Sequence, residues 1–314
     1  MSTESSPRAI IAALLANLGI AVTKLVAWAL TGSSSMLAES IHSIADSGNQ
    51  GLLLLGGSRS KRAPTPEHQF GFGRERYVYA FIVSVVLFSV GGLFALYEAY
   101  HKWHEVHEGH EDELLTSDWW WVPLVVLAAA IVMEGFSFHT AIVESNKIKG
   151  DQSWWSFIRT AKAPELPVVL LEDFAALIGL MLALFGVGLT LLTDNGYWDA
   201  AGTAGIGLLL VAVAIVLAIE TKSLLLGESA GRADQDLIEA AILEGSDDIL
   251  GVIHLRTMHI GPEELLVACK IAVAPLDSAQ DVARAIDQAE ARIRSVVPEA
   301  AYIFIEPDIQ RANR

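Results

Sequence analysis

Six long apolar runs are the feature that most restricts what this chain can fold into. They are Ala9–Leu30, Met36–Gly57, Tyr77–Tyr100, Trp119–Val143, Leu166–Leu192 and Ala200–Ile219. A helix needs about 20 mostly apolar residues to cross a hydrocarbon core about 30 Å thick. Composition agrees: the chain is 53% hydrophobic and 18% charged, against about 45–50% and about 25% for soluble domains. The net charge of −16 excludes the basic footprint of a nucleic-acid binder. One cysteine, Cys269, excludes a disulfide framework and a cysteine-cluster zinc site within one chain. The polar start Met1–Pro7 and the length of the first run point away from a cleavable signal peptide.

The connections give the expected orientation. Ser58–Arg76 holds Arg59, Lys61, Arg62, Arg74 and Arg76, and Glu144–Glu165 holds Lys147, Lys149, Arg159 and Lys162. The alternate connections, Thr31–Ser35, His101–Asp118 and Thr193–Asp199, contain one Lys and no Arg. Basic loops stay inside, so both termini are expected in the cytoplasm. Tyr100, Trp103, Trp119–Trp121, Tyr197 and Trp198 lie at outer ends, as interfacial aromatics do.

Residues 1–221 read as the transmembrane domain and 222–314 as a polar cytoplasmic domain. In the latter, Ala233–Leu243 reads as a helix, and Ile249–His259 and Leu265–Val273 as strands joined at Gly261-Pro262. Val267, Cys269, Ile271 and Val273 share one strand face. Ser278–Val297 reads as an amphipathic helix with Ala279, Val282, Ala283, Ile286, Ala289, Ile293 and Val296 on its stripe. Ala301–Ile305 reads as the last strand. The order αββαβ predicts a small α+β layer.

Ionisable groups at bilayer depth are costly and mark function. The second run contains Glu39, His42, Asp46 and Asn49, and the fifth contains Glu172 and Asp173. His42, Asp46 and Asn49 fall on one helix face. One imidazole and one carboxylate pointing the same way suit a tetrahedral N/O metal site. Asp46 lies about 15 Å from the outer end of its run, and Asp173 about 10 Å from the inner end of an oppositely traversed one. The sequence therefore permits one midplane site. The alternative is that these groups make interhelical hydrogen bonds or pair with Lys24. Lys24 and Glu39 lie toward the outer side, where a salt bridge or snorkelling is expected. Glu134 and His139 are candidates for lining a proton or metal path.

The run Gly32–Asp46, Asn17 with Lys24, His68–Glu75, Leu255–Thr257 and Gly261-Pro262 together resemble the cation diffusion facilitator family over nearly the whole chain. The stretches Glu39–Gly57 and Leu171–Ala176 are similar to the branch typified by the mitochondrial zinc exporter of animal cells. The resemblance implies a six-helix bundle followed by a ferredoxin-like cytoplasmic domain, a homodimer, and metal-for-proton antiport by alternating access. It carries over His42, Asp46 and Asp173 as metal ligands. Val169 stands where most of the family has a histidine. Glu172 is a candidate fourth ligand or a proton acceptor, since neighbours on a helix point about 100° apart. Losing an imidazole makes the site more oxygen-rich, which leaves manganese, iron and cobalt open beside zinc. The family's secondary sites look mostly absent. Cys269 and Glu306 hold ligand-like positions, but Ile253 and Phe304 replace their companions. His254 and His259 are as readily strand-surface residues. Arg74 matches a basic junction position, with Glu228 as a candidate partner.

His101, His104, His107 and His110 recur every three residues among acids in the outer loop, so adjacent pairs can meet but all four cannot share a face. Such a tract either binds metal weakly or is a solvated acidic loop. The expected function is proton-coupled efflux of a divalent metal, zinc first, by a multi-pass protein of the plasma (inner) membrane. The metal is cargo, and no cofactor and no enzymatic activity are expected; no Walker-type phosphate loop is present. The competing class is a non-transporting membrane scaffold.

Overall fold

The computed structural model describes residues 7–110, 112–244, 248–275 and 278–309, with side chains from Asn17 onward. The expectation for Met1–Ser6 lies outside the described residues. The elements are α1 (Pro7–Thr31), α2 (Ser34–Ser60), α3 (Glu75–Val86), a π-helical segment (Leu87–Leu93), α4 (Phe94–His107), α5 (Glu113–Thr116) and α6 (Val122–Lys149). Then come α7 (Trp154–Thr160), α8 (Glu165–Thr193), α9 (Tyr197–Leu226), α10 (Arg232–Leu243), β1 (Ile249–Gly261), β2 (Glu264–Val273), α11 (Ala279–Val296) and β3 (Tyr302–Ile309).

They fall into two compact units. One is built from α1, α2 to Gly56, and Tyr79–Thr221; the other from Gly57–Val78 and the chain from Lys222 onward. Among the described residues, four helical stretches are long and apolar enough to cross a membrane: Glu75–His107, Val122–Lys149, Glu165–Thr193 and Tyr197–Leu226. A shorter apolar stretch covers Asn17–Thr31. The 27 residues of α2 fall outside this class because Ser34, Ser35, Glu39, Ser40, His42, Ser47 and Asn49 interrupt them. All of these are buried, so α2 turns its polar side inward.

The helical unit packs around Met36, Val83, Leu87, Leu127, Leu180, Leu210 and Leu217. Two close crossings depend on glycine. A Cβ on Gly207 of α9 would lie 2.9 Å from the Leu96 backbone nitrogen of α4. One on Gly186 of α8 would lie 2.9 Å from the Trp198 carbonyl oxygen of α9. The third apolar run is a single stretch of helix, but its middle is π-helical rather than α-helical.

In the second unit the strand order is β1-β2-β3. β1 and β2 run antiparallel with Leu255 opposite Cys269, and β2 and β3 run parallel with Cys269 opposite Ile305. The order αββαβ is as expected, in a three-stranded sheet. Val267, Cys269, Ile271 and Val273 all face the core. The α11 stripe is rotated from its expected position. Ala285, Ala289 and Ile293 are the buried residues, while Ala279 and Ala283 are exposed and Val296 is 41% exposed. Spacing the stripe at four residues from Ala285 buries two alanines, which lets α11 approach the sheet closely. Ser278 caps this helix by accepting from the Asp281 amide. The segment Gly57–Val78 joins the unit through Phe70, edge-on to Tyr302 at 5.2 Å, and Arg76, 3.8 Å from Glu263.

Candidate metal centre

The first turn of a helix has unpaired backbone N–H groups. At α2 these are met from another helix. Asp199 of α9 accepts from the Ser34 amide at 2.8 Å and the Ser35 amide at 3.2 Å. One turn deeper, Lys24 of α1 donates to Glu39 at 2.9 Å and to Ser43 at 2.8 Å. Lys24 and Glu39 thus form a buried ion pair, and Lys24 does not snorkel.

His42 and Asp46 follow on the same face. Nε2 of His42 lies 3.4 Å from Oδ2 of Asp46. His42 is 1% exposed. Among the described residues, neither ring nitrogen has a hydrogen-bond partner, and Oδ1 of Asp46 has none either. A buried polar group left unbonded costs about 1–3 kcal/mol, so the His42 ring nitrogens and Oδ1 of Asp46 are polar atoms in need of a partner. The π-helical segment lies against this ring: a Cβ on Gly91 would sit 3.9 Å from Nδ1 of His42.

The two acids of α8 are held apart from the pair and from each other. Glu172 accepts from Asn49 of α2 at 2.8 Å. Asp173 accepts from Ser137 of α6 at 2.8 Å. The 100° rotation between neighbours therefore sends Glu172 toward α2 and Asp173 toward α6. Among the described residues, no three His, Cys, Asp or Glu side chains are close enough to hold one metal ion. Val169 packs against the apolar core. Glu134 is half-buried and His139 exposed.

Asp199 and Ser137 were not singled out from the sequence. Asp199 closes the connection Thr193–Asp199, and only its place opposite Ser33-Ser34-Ser35 gives it a role. Ser137 carries no signal beyond being a hydroxyl on an apolar helix. Asn17 reaches Gln50 of α2 at 3.2 Å, a further polar tie between α1 and α2.

The outer histidines sit largely on a helix. His101, His104 and His107 lie on α4, each stacked on the aromatic residue four positions earlier, with Trp103 and His107 at 5.1 Å. His101 is 3.6 Å from Glu105, and His104 is 3.2 Å from Glu108. Glu111 of this tract lies outside the described residues. A cavity of about 540 Å³ nearby is lined by Trp28, Leu37, His101, Lys102, His110 and Asp112 among others. In the C-terminal unit, Cys269 is buried, and burial pushes its thiol up to about 11. Glu306 instead pairs with Lys270 at 3.1 Å, on the opposite face of the sheet from Cys269. His254 is exposed as expected for a strand surface, but His259 is buried, and its amide donates to the Glu228 carbonyl at 2.8 Å. Arg74 lies against Met258, Nη2 to Sδ 3.4 Å.

A buried His42 with a partly buried Asp46 one turn on, among apolar helices that also carry Glu172 and Asp173, is the setting in which the comparisons fall. The sequence model of the cation efflux transmembrane domain matches residues 10–226. The chain belongs to the cation efflux family, the cation diffusion facilitators. It is 37% identical over 234 residues to the Xenopus laevis protein named proton-coupled zinc antiporter SLC30A9, mitochondrial, covering 74% of this chain and 40% of that one. It is 32% identical over 241 residues to the Homo sapiens protein of the same name, covering 76% and 41%. It is 28% identical over 265 residues to metal tolerance protein C4 of Arabidopsis thaliana, covering 83% and 56%. The chain spans about two fifths of the length of the antiporters it matches. Membership near this branch agrees with the motifs of α2 and α8. The expected plasma (inner) membrane location is corrected by the same finding, because the antiporter relatives are mitochondrial by name.

Proposed function

We propose that this cation efflux protein is a secondary-active exporter of a divalent transition metal, zinc in first place, that exchanges metal for protons. The observation that carries the proposal is the His42–Asp46 pair, with both imidazole nitrogens buried and, among the described residues, not hydrogen-bonded. Zinc accepts neutral imidazole nitrogen and carboxylate oxygen in one tetrahedral site. Metal binding requires those groups deprotonated, so protons compete for the same atoms and an exchange cycle needs no nucleotide. The names of the antiporter relatives support zinc and proton coupling.

His42 and Asp46 supply two ligands. Asp173 supplies a third by leaving Ser137, and Glu172 is the candidate fourth on leaving Asn49. The unit before Lys222 crosses the membrane six times, with α1 and α2 joining the four fully apolar stretches. The basic loops mark the side from which metal is taken, which is the matrix side in a mitochondrial membrane. Residues 222–314 form a ferredoxin-like domain on that side, and the chain works as a homodimer.

The test is flux in proteoliposomes loaded with a zinc-sensitive and a pH-sensitive dye. Asp46→Ala and Asp173→Ala should each abolish zinc uptake and the matching proton counterflow. Full retention of both would remove the site assignment. Running manganese, iron and cobalt beside zinc decides the metal, because the valine at 169 leaves a donor set rich in oxygen.

A further inference from the structure

Asp199 is completely buried at the start of α9, and the transport chemistry proposed above does not use it. Its Oδ2 accepts from the Ser34 amide at 2.8 Å and the Ser34 hydroxyl at 3.3 Å. Its Oδ1 accepts from the Ser35 amide and the Ser33 hydroxyl, each at 3.2 Å. Thr203, one turn on, stands 3.0 Å from both the Ser34 and Ser35 hydroxyls. The carboxylate therefore caps α2 from a different helix. It meets orphan N–H groups of the first turn and sits at the positive end of the helix dipole. An amide could accept at one oxygen only and would turn its own N–H groups toward donors.

The same spot is where α8 meets α9. A Cβ on Gly186 of α8 would lie 3.5 Å from the Asp199 Cα. One on Gly202 of α9 would lie 3.0 Å from the Leu182 carbonyl oxygen of α8 and 3.4 Å from the Ser35 hydroxyl of α2. Three helices thus meet within one turn. α2 runs away from this joint from its N-terminus, and α8 arrives at it by its C-terminus. His42 and Asp46 lie about 12 and 18 Å from Ser34 along α2, and Asp173 lies about 20 Å from Gly186 along α8. The joint fixes the starting height from which both sets of ligands are measured.

We propose that Asp199 is a positioning residue for metal binding: by capping α2 at the α8–α9 crossing, it sets the height and rotation of His42 and Asp46 relative to the acids of α8. This rests on the exporter reading for its functional consequence, and on the hydrogen bonds alone for its structural one.

Two measurements on the full chain separate these. In zinc flux, Asp199→Asn should raise the half-saturating zinc concentration about tenfold, the factor matching a lost helix cap, with the maximal rate per folded protein kept within about twofold. Ser33→Ala, which removes one donor to the carboxylate, should shift it the same way by less. An unchanged half-saturation, with the rate falling only as folded protein falls, overturns the proposal. Hydrogen exchange of α2 amides in lipid nanodiscs decides the structural part even if the wild-type chain moves no zinc, the result that would sink the exporter reading alone. Faster exchange reaching from Ser34 to the turn of His42 and Asp46 supports the joint; faster exchange confined to Ser34–Leu37 overturns it. Should Asp199→Asn fail to fold, Ser33→Ala read by exchange answers the same question.

Discussion

The Asn49 amide of α2 donates to Glu172 of α8 at 2.8 Å, and both residues are buried. This bond ties the helix of His42 and Asp46 to the helix of the two acids, and it selects Glu172 rather than Asp173 for the side toward α2. Asn49→Ala leaves a buried carboxylate without its donor. Leaving a buried polar group without its partner costs about 1–3 kcal/mol, so the variant should unfold more easily by about that amount. Denaturant unfolding of the purified chain in detergent measures it, and an unchanged midpoint means that Glu172 finds an equal partner elsewhere.

Lys24 and Glu39 give a second expectation. Breaking a buried pair by removing one partner costs about 3–5 kcal/mol, whereas replacing both with apolar groups is often neutral. Lys24→Met and Glu39→Leu should each lower thermal stability sharply, and the double variant should recover most of the loss. Additive losses in the double-mutant cycle would show that the pair contributes through packing instead.

The glycine crossings predict opposite signs for one chemical change. At Gly207 the new methyl would meet the backbone of α4 at 2.9 Å, while at Gly135 nothing lies within 4 Å. Gly207→Ala should cost about 1–3 kcal/mol through overpacking. Gly135→Ala should stabilise by about 0.5–1 kcal/mol, the helix propensity gained. Melting temperatures of the two purified variants, taken side by side, decide the matter.

Cys269 supplies a pH expectation. Burial raises its thiol from the ordinary 9.0 to about 11. The unfolded chain loses this proton near pH 9 and the folded one does not, so folding of the C-terminal unit weakens as pH rises from about 9 to 11. Below pH 9 the thiol is protonated and shielded in the folded chain. Maleimide labelling of the intact chain should therefore stay slow at pH 8 and keep climbing toward pH 11 instead of levelling off above pH 9. Fast labelling at pH 7 contradicts the buried placement.

Much of this was legible in the sequence because its signals are periodic. The αββαβ order, the inward face of β2 and the shared face of His42, Asp46 and Asn49 all follow from periods of two and of 3.6 residues. The family followed from motifs in α2 and α8. Features set by contact between distant segments were hidden. Whether Asp173 faces α2 or α6 depends on the rotation of α8, which Ser137 and Asn49 settle from other helices. The stripe of α11 shifted because two alanines allow close approach to the sheet, a packing choice that hydrophobicity alone does not reveal. The length and apolar content of Met36–Gly57 read as a span, while the buried polar face of α2 sets it apart from the four apolar stretches.

The π-helical segment Leu87–Leu93 imposes a phase step on the third long helix. A π turn closes its hydrogen bonds over one residue more than an α turn, and one extra residue advances everything beyond it by about 100°. The face that α3 presents at Tyr79 and Val83 is therefore not continued along α4. The residues of α4 are therefore rotated as a set relative to the other half of the same rod, and the step between the two halves falls beside the His42 ring.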